Sequence, residues 1–243
     1  MKYSPAHKIV QDLAVLMIAI ALSIAALAQA GASGDKSQLL LKLKESAAEN
    51  KEKLHQYKWL ETQQVTLKGE PKPPRAFDCQ YGPDGRVQKT PLGPPPQQQA
   101  GQGGKFKQRI VAKKTEEMKD YMQEVQGVVS LYVPPDPQRM QQAYQAGNVS
   151  INSTLGSNQA QLVFKNYAQP GDEMTIAFDS RSKKIQTLNV SSYLDDAKNA
   201  ITLAVQFASL PDGTNYAQRT VLDAKAKQLQ VTTTNSNYAK LGQ

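Results

Sequence analysis

From Tyr57 to Gly69 the chain alternates. Tyr57, Trp59, Val65 and Leu67 fall on one face with Glu61 and Gln63 between them, and Lys58, Thr62, Thr66 and Lys68 fall on the other, Leu60 being the exception. Period two over this length predicts a half-buried β-strand. Just upstream the period is helical: Leu40, Leu43, Ala47 and Leu54 recur at helix spacing within a Lys-, Glu- and Ala-rich stretch, so Lys36 to His55 is expected to be an α-helix. The Glu70-Pro-Lys-Pro-Pro74 run interrupts strand pairing, and alternation resumes at Arg75 to Tyr81, where Phe77, Cys79 and Tyr81 share a face. Gly82-Pro83-Asp84-Gly85 is a turn signal, since proline presets φ and glycine accepts a positive one; Arg86 to Thr90 is then the returning strand.

Gly93 to Lys105 (GPPPQQQAGQGGK) reads as a flexible insert by composition. Beyond it, Val111, Met118, Met122, Val125, Val129 and Tyr132 form an apolar stripe on a long helix over 106–132, which Pro134-Pro135 ends. Asp136 is placed to cap a short helix reaching about Ala146, with Pro137 at its first position and Gly147 at its end. Seven strand-like runs complete the chain: Val149–Leu155, Gln159–Tyr167, Glu173–Ser180, Lys184–Tyr193, Ala200–Leu210, Asn215–Leu222 and Lys227–Thr234. Their short turn-like connections predict an antiparallel meander with one apolar face per strand. The fold class expected is therefore α+β: a curved, mostly antiparallel, unclosed sheet with helices on its concave face.

The first thirty residues change the picture of where the protein acts. Lys2 and Lys8, an apolar run from Leu13 to Leu27 and Ala28-Gln29-Ala30 read as a signal peptide cleaved after Ala30, giving a periplasmic or secreted protein. The apolar run falls short of the roughly 20 residues a membrane span requires. The expected organisation is signal peptide 1–30, a flexible tail 31–35, and one domain over 36–243 carrying the insert at 93–105.

The chain of 243 residues has a net charge of +8, one cysteine and two histidines. Its basic residues are dispersed, which suits transient contact with an anionic membrane surface and not nucleic acid. A single cysteine forms no internal disulfide, whatever the compartment. Outside the signal, His55 is the only histidine, and it lies in a lysine-rich stretch as a solvated residue. The base that serine and cysteine nucleophiles rely on and the ligand sets of zinc sites are therefore missing. Adjacent acids such as Glu116-Glu117 and Asp195-Asp196 point to different faces. Met118, Met122 and Met140 sit at helical core positions, where packing outweighs a soft-metal role. No catalytic residue, cofactor or metal is expected, and Cys79 reads as a small buried apolar residue.

The order of these features resembles the periplasmic lipoprotein-carrier superfamily, LolA- and LolB-like: an exported amphipathic helix, the YKW…V.LKG strand, the YGPDGRV hairpin, a helical insertion, and strands closing with VQFASLPDGTNYAQRTV and VTTTNSNYAKL. That resemblance implies an unclosed barrel whose helices enclose an apolar cavity for acyl chains. It implies no catalytic residue. The reading that follows is a non-catalytic binder or carrier of a lipid or lipoprotein acyl chain, as a monomer, with Tyr57, Trp59, Val65, Met118, Met122 and Val125 lining the site. The alternative is an envelope protein-interaction or stress-sensing module without a small-molecule ligand.

Overall fold

The computed structural model describes residues 48–93, 105–153, 158–179, 181–182 and 184–242. The signal peptide, the tail, the first part of the 36–55 helix and nearly all of the 93–105 insert lie outside the described residues. Within them, 48–54 is helical (α1). The strands β1 (Tyr57–Leu67), β2 (Glu70–Pro71), β3 (Arg75–Tyr81) and β4 (Val87–Leu92) follow, then the helices α2 (Lys105–Ser130) and α3 (Pro137–Gln145). The chain continues through β5 (Val149–Ser153), β6 (Gln159–Lys165), β7 (Glu173–Asp179), β8 (Ile185–Tyr193), β9 (Ala200–Ser209), β10 (Asn215–Ala224) and β11 (Leu229–Lys240). This is the α+β architecture expected from the periodicities.

All the strands form one antiparallel, unclosed sheet in the order β4-β3-β1-β11-β10-β9-β8-β7-β6-β5, with β2 pairing only β1. Nearly every neighbour is a hairpin partner. The exception is β1 against β11, the first strand and the last, which places β1 inside the sheet. The chain then leaves from β4 at one edge and returns as β5 at the other, with α2 and α3 between. A helix of 26 residues is about 39 Å long, and ten strands at about 4.8 Å spacing span about 43 Å. The length of α2 thus matches the width of the sheet that the connection must cross.

The apolar stripe of α2 seats on that sheet. Met122, Val125, Val129 and Tyr132 are buried with Leu162, Phe164, Met174, Ile176, Phe178, Leu188, Leu203 and Val231, and Met118 packs partly buried against them. Val111's side chain lies outside what is described. Asp136 caps α3 by accepting hydrogen bonds from the amides of Gln138 (2.7 Å) and Arg139 (3.4 Å), as its position before Pro137 predicts.

Two departures from the sequence reading have local causes. The EPKPP run does not simply break pairing. Lys68 (φ 53°) and Gly69 (φ 79°) both take left-handed conformations, the geometry of a two-residue hairpin turn, and this brings Glu70–Pro71 back onto β1. Strand β11 also runs six residues past the expected Thr234. Its polar Asn235-Ser236-Asn237 hides the alternation, and Asn237 (φ 54°) lies where the β1–β11 register shifts near Lys58 and Leu60.

Candidate functional site: a buried polar belt

The inward face of β1 carries Tyr57, Trp59, Glu61, Gln63, Val65 and Leu67, the same alternation that predicts the strand. Burial along it is continuous through the polar members: Trp59, Glu61 and Gln63 are each 1% exposed. Register extends this row sideways. Trp59 lies opposite Cys79, and Glu61 opposite Phe77 on β3. On β11, Glu61 faces Asn235 and Gln63 faces Thr233; Thr233 in turn faces Thr220 on β10. Glu61, Gln63, Thr220, Thr233 and Asn235 are all buried. They form a polar belt across one face of three strands.

The belt separates two apolar clusters. On one side are Leu54, Trp59, Phe77, Cys79, Tyr81 and Val87, with Tyr216 and Tyr238 packed against them. On the other lies the core beneath α2 and α3, with Val65 and Leu67 at its margin. Trp59 stacks on Tyr238 at 5.5 Å with the rings 11° apart and meets Tyr81 at 5.6 Å. His55 lies 4.3 Å from the Tyr81 ring, and its Nε2 is buried without a partner among the described residues. The sequence reading placed this histidine in solvent; the turn between α1 and β1 instead folds it onto the hairpin.

Lys89 of β4 reaches over Cys79 into the belt. Its Nζ donates to both Glu61 oxygens, at 2.7 and 2.6 Å, and the two side chains are 4% and 1% exposed. Burial shifts both groups toward their neutral forms: it raises the Glu61 pKa, against the pull of Lys89, and lowers that of Lys89, against the pull of Glu61. The same burial, with the Glu61 charge nearby, pushes the Cys79 thiol up to about 12. A thiol so placed carries almost no thiolate at neutral pH. Alkylation of Cys79 by iodoacetamide at pH 8 is therefore expected to be far slower in the folded protein than in urea. Equal rates in the two would contradict the buried setting.

Four atoms in and beside the belt have no hydrogen-bond partner among the described residues: Gln63 Nε2 and Oε1, Trp59 Nε1 and Asn235 Oδ1. Asn235 is oriented by its other amide atom, since Nδ2 donates to the Ala217 carbonyl at 2.8 Å. Arg75, opposite Gln63 on β3, is half-buried with its guanidinium 5.8 Å from the Phe77 ring centre. Arg86 is exposed beside Asp84 in the hairpin turn.

The six expected site residues divide around this belt. Trp59 belongs to the aromatic cluster, and Tyr57 flanks it, donating its hydroxyl to Asp212 at 2.6 Å. Val65, Met118, Met122 and Val125 belong to the core under α2. They do not form one cluster. Sequence reasoning passed over Glu61, Gln63, Lys89 and Asn235. The signal for the first two was present, as polar residues in phase with an apolar face; Lys89 and Asn235 gave none, because only strand pairing brings them there.

A second buried polar centre lies under α2 and α3. The Asp172 carboxylate accepts from the amides of Tyr167 (2.5 Å), Ala168 and Gln169 (both 2.8 Å) and from the Tyr132 hydroxyl (2.5 Å). Ser192 lies 2.7 Å from that hydroxyl. The loop it holds forms one wall of an open polar cleft of about 810 Å³, which α3 closes with Arg139 and Gln142. Among the described residues no three His, Cys, Asp or Glu side chains gather to hold a metal ion, and no helix is long and apolar enough to cross a membrane.

No protein-family model matches the chain, and no curated protein is similar to it. A solved structure, that of a DUF1329 family protein from Desulfovibrio piger, is similar at a TM-score of 0.39 and 7% sequence identity, over 85% of this chain and 92% of that one.

Proposed function

We propose that the protein is an exported, non-catalytic binder of a lipid or lipoprotein acyl chain, held on the sheet face that α2 covers. The supporting observation is the cover itself. One helix as long as the sheet is wide lies over an apolar face that is left unclosed, and it meets that face through Met118, Met122 and Val125. Thioether side chains adapt to apolar surfaces of differing shape, so α2 can repack over a ligand. The net charge of +8 adds attraction to the anionic surfaces from which such ligands come. Protein purified without detergent is expected to carry acyl-chain adducts, seen by native mass spectrometry and recovered by organic extraction. A protein that stays free of adduct after incubation with lipid vesicles would refute this function.

A further inference from the structure

We infer that the belt on β1 and β11 recognises an uncharged group carrying both a hydrogen-bond donor and an acceptor, as an amide-linked acyl chain does. This rests on the acyl-binding function proposed above and adds the chemistry of the head. Gln63, Trp59 and Asn235 are at most 4% exposed, yet among the described residues two of their donors and two of their acceptors meet no partner. Buried polar groups in folded proteins are nearly always paired, because an unpaired one costs its full desolvation. The side chains that carry these four atoms stand in one row, with Trp59 and Gln63 about 13 Å apart along β1 and Asn235 between them. Trp59 and Gln63 flank Glu61 on the same face of β1, and Asn235 faces Glu61 directly; same-face neighbours along a strand are about 7 Å apart, and facing residues about 5 Å.

The mixture of donors and acceptors selects the ligand. Gln63 Nε2 and Trp59 Nε1 need an acceptor, whereas Gln63 Oε1 and Asn235 Oδ1 need a donor. An ester or an ionised carboxylate has only acceptors and leaves the two oxygens unmet. The charges inside the belt already cancel, since Lys89 is bound to both oxygens of Glu61, so a charged head gains no counter-ion there. Arg75, opposite Gln63 on β3, is only half-buried. An amide satisfies both kinds of atom at once, with its chain running along the apolar surface that borders the belt on either side.

Two probes that differ by a single N–H isolate this effect: N-methylhexadecanamide and methyl hexadecanoate, with hexadecanoate as the anionic control. Binding of each to the full chain is measured by calorimetry or by displacement of a fluorescent fatty-acid analogue. The amide is expected to bind at least tenfold more tightly than either control. Gln63→Leu, checked for folding by its circular dichroism melt, is expected to lose that preference and keep its affinity for the ester. Equal affinities for amide and ester, or tighter binding of the carboxylate, would overturn the assignment of the belt while leaving acyl binding intact. Failure of all three probes to bind would overturn both readings.

Discussion

Lys89→Met is expected to lower the stability of the folded chain by about 3–5 kcal/mol, because it leaves the Glu61 carboxylate buried without its partner. Both side chains are almost wholly out of water, so solvent neither screens the pair nor replaces it. The loss has a definite pH dependence. Burial already raises the Glu61 pKa above its ordinary 4.5 with Lys89 present, and removing the cation raises it further. A carboxyl whose folded pKa exceeds the unfolded one supports the fold below the unfolded value and loses that support as pH rises through the folded value. The variant should therefore be closest to wild type near pH 4–5 and furthest from it at pH 8. Urea unfolding at the two pH values reads this directly. The double variant Glu61→Leu/Lys89→Met removes both desolvated charges and is expected to match or exceed wild type. A Lys89→Met protein within 1 kcal/mol of wild type at pH 8 would show that the pair is not buried as described.

Asp172→Ala is the other substitution with a large expected effect. Asp172 is 2% exposed, and its two oxygens are the acceptors for three successive backbone amides and for Tyr132. Alanine leaves the three amides without their acceptor in a loop that is buried at Tyr167 and half-buried at Ala168 and Gln169, and leaves the Tyr132 hydroxyl with Ser192 alone. At about 1–3 kcal/mol for each unmade bond, the loss is expected to be at least about 4 kcal/mol, a fall in melting temperature of roughly 10 °C or more for a chain of this size. Hydrogen exchange gives the local test: the Tyr167, Ala168 and Gln169 amides should lose protection ahead of the sheet. Retention of their protection in the variant would mean that the loop is held by something other than this carboxylate. Asn at 172 keeps one acceptor oxygen and should lie between the two.

The fold was legible from the sequence wherever its cause is local. Alternation from Tyr57 to Leu67 marked β1, and the Met118, Met122, Val125 and Val129 stripe marked α2, because side-chain direction repeats every two residues in a strand and every 3.6 in a helix. Phe77, Cys79 and Tyr81 on one face of a hairpin arm already placed the thiol among aromatic rings. Asp136-Pro137 and Gly147 marked the ends of α3 through their own backbone preferences.

The belt needed more than that. Glu61 and Gln63 stand in phase with an apolar face, but phase alone does not distinguish a buried polar residue from the exposed margin of an amphipathic strand. Their burial depends on β1 becoming an interior strand, and that follows from its pairing with β11, at the far end of the chain. Lys89 meets Glu61 only because β3 lies between β4 and β1, so its side chain reaches over an intervening strand. Asn235 enters the belt through a strand extension that its polar sequence conceals. By itself the sequence determined which segments become strands and helices and which face of each is apolar, since these depend on neighbours a few residues apart. Only the tertiary structure decided which polar residues that face would trap without partners, because burial is set by whatever folds against a residue from elsewhere in the chain.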